Sequence, residues 1–413
     1  MSHFPILPVL EELKKHFNKK VDYRNVYVIS VQHILETTGS LFEAMIGVGI
    51  KASNIYLLGK LYSSHTETKN SLKQIGINIF ENRPIEDFGR VREYLKKDIA
   101  YVWDFLRQKL KVGDVIIILD DGGLAIKTAP KELFDVCKFY GIEQTTFGLR
   151  YQENKDHFPI IQVATSATKK FLEPVLISKT LMTRIKILLR TIKPLNIGVI
   201  GFGNIGKSVA KELSADYKVQ VFDINNAQTQ DIKSNIKICS DVNELISNSD
   251  LIIGATGVDI SKNWDLIIEK NVTLISVSSA DIEFNSLLKK YNEQLKLKKY
   301  TPLDDFEIIL ANGNKISIIR GGTVANFNNL KESCPKDKIQ ITRGLLFAAI
   351  LQALNNNLHI TDENGSVKLK PSFQKIIVQK WFSEHPRFRS FYPKILIDNF
   401  ASEAWISENS GGK

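Results

Sequence analysis

Short runs of β-branched and aliphatic residues recur through the first part of the chain: 25-NVYVISV-31, 54-NIYLLG-59, 76-GINIF-80, 115-VIIILDD-121 and 160-IIQVAT-165. Each has the length of a strand, and the residues between them carry helical spacing. The alternation predicts a series of βαβ units around a parallel sheet. A long amphipathic stretch, 168-TKKFLEPVLISKTLMTRIKILLRTI-192, follows and reads as a connecting helix interrupted at Pro174.

A second series begins after Pro194 with 196-NIGVIGF-202, 218-KVQVFD-223, 236-IKIC-239, 250-DLIIGAT-256 and 272-VTLISVS-278. It predicts a second doubly wound α/β unit. The segment 307-EIILANGNKISIIR-320 reads as a hairpin whose turn, Asn312-Gly313, places both central residues at positive φ. Beyond it, 341-ITRGLLFAAILQALNN-356 predicts a helix with an apolar stripe, and 409-NSGGK-413 reads as a disordered tail.

The stretch 196-NIGVIGFGNIGKSVAKEL-213 runs from a strand through Gly201, Gly203 and Gly206 into a helix, and an acid, Asp223, ends the next strand. In that context the glycines have separate tasks. Gly201 permits the tight turn, Gly203 lets a pyrophosphate approach the backbone, and Gly206 lets the helix pack closely. Asp223 accepts hydrogen bonds from a ribose 2′-hydroxyl and repels a 2′-phosphate, and no arginine follows it, so the pattern predicts NAD over NADP. A glycine turn that only packs, or a Rossmann module that has lost its dinucleotide, is the competing interpretation.

At 413 residues, with 43% hydrophobic and 24% charged residues, the chain has the composition of a soluble globular protein of two domains. The formal charge of +10 is spread along the sequence and not interleaved with aromatics, which argues against nucleic acid as a partner. No apolar run is long enough to span a membrane. Cys137, Cys239 and Cys334 show neither disulfide nor zinc spacing, so no metal is expected and a cytoplasmic setting is.

The order of the two units and the motifs on them resemble the S-adenosylhomocysteine hydrolase (adenosylhomocysteinase) family. The run 118-ILDDGG-123 is similar to that family's LDDGG, 141-GIEQTTFG-148 to its EETTTG, and 163-VATSATKK-170 to its VNDSVTKSK. GFGNIGK resembles GYGDVGK, 253-IGATG-257 its TTTG, and 321-GGTVAN-326 its EGRLVN, in the same order over roughly residues 25 to 350. The resemblance implies two Rossmann-like doubly wound domains. A substrate domain, residues 1–172, is completed by 334–413, and an NAD-binding domain, 173–333, is inserted between them.

It further implies a redox-neutral cycle on a nucleoside or nucleoside thioether: oxidation of the ribose 3′-hydroxyl by NAD, loss of the C4′ proton, elimination at C5′, addition of water and re-reduction. Oxidation needs a base, and a lysine in a desolvated site beside a cationic nicotinamide can serve. Lys169 sits at the matching position, with Glu173 one turn later to hold it. His33 and Asp121 follow strands and match the family's catalytic histidine and aspartate. Thr145, Thr146, Asn204, Ile205, Thr256, Gly257 and Asn326 join the three glycines and Asp223 as the implied cofactor contacts. A homodimer or homotetramer is the implied assembly.

Departures fall on the substrate contacts. Gln144, Ala164 and Ser279 stand where the family's motifs carry a carboxylate, an asparagine and a histidine. A further family carboxylate is replaced within 33-HILETTG-39 unless Glu36 serves. Lost polar matches of this kind change specificity by orders of magnitude. The sequence therefore predicts hydrolysis or dehydration of a related nucleoside; a genuine adenosylhomocysteinase with an altered pocket and a catalytically weak NAD-binding regulatory protein are the alternatives.

Overall fold

The computed structural model describes residues 3–17, 23–151, 157–229, 232, 235–327, 330–355 and 366–411. The chain divides into two compact units, one comprising Met1–Asn82, Leu95–Leu176 and Asn329–Lys413, the other Arg83–Tyr94 and Ile177–Asn328. Residues 83–94, which the sequence assigned to the first domain, group with the second: the ring of Phe88 packs edge-on against Phe306 at 5.0 Å.

In chain order the first unit carries strands β1 (Val26–Ile34), β2 (Ile55–Ser64), β3 (Asn78–Phe80), β4 (Val115–Asp120), β5 (Lys138–Glu143) and β6 (Ile160–Gln162). The second unit carries β7 (Asn196–Ile200), β8 (Lys218–Phe222), β9 (Ile236–Ile238), β10 (Leu251–Gly254), β11 (Val272–Ser276), β12 (Phe306–Ile309) and β13 (Lys315–Ile318). Strand β14 (Ser366–Lys368) returns to the first sheet beside β6.

The first sheet has the order β14-β6-β5-β4-β1-β2-β3 and is parallel throughout. Its apolar runs are continuous because both faces are covered. Along β4, Ile117 and Leu119 enter one hydrophobic cluster while Ile116 and Ile118 enter another, as the two-residue period of a strand requires. The helix Lys336–Leu354 lies in the first of these clusters. It is buried on every side from Ile339 to Ala353, where the sequence predicted only a stripe. Its polar residues survive there because they are bonded: Gln352 donates to Lys368 O and accepts from Lys370 N, and Gln340 accepts from Val9 N.

The predicted connector is two helices, Ala167–Phe171 and Glu173–Ile192, with Pro174 in the first turn of the second, where its missing N–H costs nothing. The tail is not irregular where it is described. Asn409 ends the helix Glu403–Asn409, Ser410 is buried, and Gly411 N donates to Thr165 O; residues 412 and 413 lie outside the described residues.

The second sheet runs β12-β13-β11-β10-β7-β8-β9, with β12 alone antiparallel. In the β12–β13 hairpin only Gly313 takes positive φ, at 84°, and Asn312 does not. The loop from Leu310 to Asn314 is longer than a two-residue turn, so it needs one left-handed residue and not two. Among the described residues no helix is long and apolar enough to cross a membrane.

Candidate functional site

In each sheet the strand order reverses beside the first strand of its series: β1 lies between β4 and β2, and β7 between β10 and β8. At such a point the loops leave in opposite directions and open a crevice at the strand C-termini. His33 and Asp121 fall at the first of these places and the glycine turn at the second, while Thr145 and Thr146 follow β5 and Lys169 and Glu173 lie beyond β6.

In the first unit His33 lies next to last on β1, where the pairing of β1 with β2 shifts register between Gln32 and Ile34. An irregularity of this kind re-aims a side chain. His33 Nε2 stands 3.3 Å from Asp121 Oδ2, and Asp121 directly follows β4. The other carboxylate oxygen, Oδ1, is 3.3 Å from Lys60 Nζ on β2. Gln144 Nε2 donates to Asp121 Oδ2 as well. Burial works to raise the Asp121 carboxyl, but the Lys60 ammonium and His33 outweigh it and hold it far below the usual carboxylate range. For His33 burial also leads, lowering its affinity for a proton; Asp121 opposes this, and Lys60 and Arg343 add to it.

Lys169, on the helix Ala167–Phe171, forms an ion pair with Glu173, which begins the next helix, and Glu173 Oε1 accepts the Thr342 hydroxyl at 2.5 Å. The neighbouring Arg343 is buried and donates through Nε to Thr37 Oγ1 at 3.1 Å. Arg343 is coupled electrostatically to Glu332, Asp121 and Glu173. Consecutive residues of the central helix therefore serve both predicted pairs. Glu36, considered as a replacement carboxylate, instead pairs with Lys331 at 3.5 Å and is partly exposed. Glu332 is the acid that reaches inward: its Oε1 accepts Thr37 N at 2.5 Å.

Thr145 and Thr146 follow β5 in this same unit. Thr145 N and Oγ1 both donate to Glu143 Oε1, at 2.7 and 2.6 Å, while Thr146 is exposed. The Thr145 side chain thus shapes its loop.

In the second unit Gly201 has φ 91°, and a Cβ there would meet the Ala255 backbone at 2.8 Å. A Cβ on Gly206 would lie 1.9 Å from Gly201 O. Gly203 has nothing within 4 Å of its Cβ position and precedes the exposed Asn204 and half-buried Ile205, which begin the helix Asn204–Leu213. This is open space before a helix N-terminus, where a pyrophosphate fits. Asp223 accepts Phe202 N at 2.6 Å and Asn225 N at 2.8 Å, so its carboxylate is fixed at the end of β8.

Thr256 and Gly257 donate their amides to Glu283 Oε1 at 2.5 and 3.2 Å, and Ser276 Oγ donates to Oε2 at 2.5 Å. Burial pushes the Glu283 carboxyl up against these bonds. Asn326 follows an isolated bridge between Ser276 and Val324, and its Oδ1 is buried with no hydrogen-bond partner among the described residues. The set fits a dinucleotide: an open glycine, a fixed carboxylate, and a buried polar atom left over.

Residues 172–265 match the model of the D-isomer specific 2-hydroxyacid dehydrogenase NAD-binding domain. The cofactor is NAD. An uncharacterized protein of Mycobacterium tuberculosis is 25% identical over 380 residues, spanning 89% of this chain and 70% of that protein. The adenosylhomocysteinase of Thermoplasma acidophilum is 26% identical over 349 residues, 78% of this chain and 77% of its own length. That of Thermococcus kodakarensis is 24% identical over 336 residues, 78% of this chain and 75% of its own length. The chain is thus a distant homologue of adenosylhomocysteinases with a dehydrogenase-type NAD-binding domain, and its fold is that of NAD-dependent enzymes.

Lys60, Ser63, Thr342, Arg343, Glu332 and Glu283 were not singled out by the sequence. Lys60 carried one usable signal, a lysine inside a strand whose neighbours are apolar. The others sit in segments without a local motif.

Proposed function

We propose that this chain is an NAD-dependent, adenosylhomocysteinase-like enzyme acting on a nucleoside or nucleoside thioether by transient 3′ oxidation, elimination across C4′ and C5′, and re-reduction. The observation that carries the reading is the convergence, within the first unit, of the Lys169–Glu173 pair and the His33–Asp121 pair on the adjacent residues Thr342 and Arg343. Two separate acid–base pairs are what a reaction with two separate deprotonations requires.

NAD, when bound, supplies the acceptor and later the donor of a hydride. Lys169, braced by Glu173 and Thr342, takes the proton of the 3′-hydroxyl. His33 and Asp121 take the C4′ proton and return a proton to the departing 5′ group. Gln144 beside Asp121 offers an amide where the relatives' motif has a carboxylate, which favours a nucleoside other than S-adenosylhomocysteine.

The test adds candidate nucleosides to the purified protein and follows the absorbance of reduced nicotinamide together with solvent deuterium at C4′. Lys169→Ala is expected to abolish the reduced cofactor. Asp121→Asn is expected to form it and then stall, with deuterium entering more slowly. Absence of both signals with every nucleoside tried refutes the reading and leaves a catalytically weak NAD-binding protein. Turnover of S-adenosylhomocysteine itself identifies a genuine adenosylhomocysteinase.

A further inference from the structure

Among the described residues of the first unit, Lys60 is the most deeply buried cationic side chain, and the proposed chemistry leaves it without a task. It is 1% exposed on β2, and burying an ammonium costs several kcal/mol unless an anion compensates. Asp121 is such an anion, 3.3 Å from Lys60 Nζ, and it contacts His33 through its other oxygen. On the opposite edge of the imidazole, Nδ1 contacts Ser63 Oγ, also on β2 and 2% exposed. The register shift explains how one strand reaches both sides. Gln32 pairs with Gly59, yet Ile34 pairs with Ser64, so the extra β2 backbone between those partners wraps around His33.

We propose that Lys60 is a positioning residue that keeps Asp121 an anion and His33 a neutral imidazole protonated on Nε2, leaving Nδ1 to accept the Ser63 hydroxyl and making Ser63–His33–Asp121 a proton relay. A carboxylate can only accept, so Nε2 must carry hydrogen. A neutral ring then has a lone pair on Nδ1, and the Ser63 O–H must point to it. When a proton arrives at Ser63 Oγ, the serine's own proton passes to Nδ1. The imidazole then holds both protons and Asp121 balances its charge; return is the reverse.

The groups facing His33 agree. Asp121 after β4 favours a second proton on the ring, while Lys60 on β2 and Arg343 on the central helix oppose it, with burial the largest influence against it. The Tyr62 ring, 5.8 Å away between centroids, brings no charge. Asp120 and Glu143 lie next to Asp121, and burial raises both toward the protonated form. Glu332 is drawn to Thr37 and Arg343. Without Lys60, the pull of Asp121 on an imidazolium would lose its largest charged counterweight, leaving burial and Arg343 to oppose it.

The inference rests on His33 and Asp121 being the acid–base pair proposed above, but its readout is the imidazole itself, so a wrong substrate class leaves it standing. Full-length protein labelled with 15N-histidine is titrated by NMR, and the His33 signals are assigned with His33→Gln. Near neutral pH the unmutated protein is expected to show a protonated Nε2 and an unprotonated Nδ1. Ser63→Ala should shift the Nδ1 signal and keep the tautomer, and Lys60→Arg should change neither. Lys60→Gln, which keeps a donor for Asp121 and removes only the charge, should move the His33 titration upward. A protonated Nδ1 in the unmutated protein, or an unmoved titration in a folded Lys60→Gln protein, overturns the proposal. Should Lys60→Gln fail to fold, Lys60→Met with Asp121→Asn removes both charges together and is expected to keep a neutral ring; a doubly protonated ring there overturns the charge argument.

Discussion

Asp120 and Glu143 stand opposite each other in the register of β4 and β5, both buried. Glu143 Oε1 holds the amides of Gly122 and Thr145, and Asp120 Oδ2 holds Ile126 N, while Glu143 Oε2 and Asp120 Oδ1 have no hydrogen-bond partner among the described residues. Burial pushes Asp120 up to about 6 from 3.8 and Glu143 well above its ordinary value. A carboxyl raised in this way contributes stability below its unfolded value, and that contribution is lost as pH climbs through the folded value, here between 3.8 and about 6. Asp120→Asn keeps an acceptor for Ile126 and cannot ionise. It is expected to gain on the unmutated protein by about 1–3 kcal/mol between acid and mildly alkaline pH. Thermal denaturation across that range checks it, and parallel pH curves for the two proteins would refute it.

Two glycines of the cofactor turn, Gly203 and Gly206, should fail in different ways. Gly203→Ala adds a methyl to open space, so the melting temperature is expected to hold while NAD binding weakens at least about tenfold, or about 1.4 kcal/mol. Gly206→Ala drives a methyl against Gly201 O and is expected to lower the melting temperature before binding is even measured. Calorimetric titration and thermal melts on both variants decide the matter; equal loss of fold in the two would mean that the space before Gly203 is not a ligand cradle.

Asp223 holds the amides of Phe202 and Asn225 at the end of β8, the place from which an acid recognises a ribose hydroxyl in dinucleotide-binding units. Asp223→Ala is expected to weaken NAD and narrow the preference over NADP by about tenfold. Equal affinity of the unmutated protein for both cofactors would show that the carboxylate does not discriminate.

Ser410 ties a distant segment to the helix that carries Lys169. Its Oγ accepts Ala167 N at 2.9 Å and the Gln374 amide at 3.2 Å, while Lys170 Nζ donates to the carbonyls of Asn409 and Gly411, each at 3.2 Å. Ser410→Ala should cost about 1 kcal/mol and raise hydrogen exchange at the amides of residues 167–170. Unchanged exchange there would mean that the clasp does not hold in solution.

The alternation of buried runs and helical spacing was enough to place most strands, because a strand covered on both faces must be apolar throughout and few other segments are. The glycine turn was legible for a similar reason: its constraints act between residues a few positions apart. Strand β5 escaped because 138-KFYGIE-143 mixes charge with its apolar residues, and β14 because three residues become a strand only by pairing with β6. The site divided along the same line. His33, Asp121, Lys169 and Glu173 lie in local motifs, and Lys169 with Glu173 is a contact between residues four apart in the chain. Lys60 against Asp121, Thr342 against Glu173 and Arg343 against Thr37 are contacts between elements far apart in the chain. No periodicity encodes them. Only the closing of the sheet and the burial of the central helix bring those charges together and decide, through desolvation, which of them keep their protons.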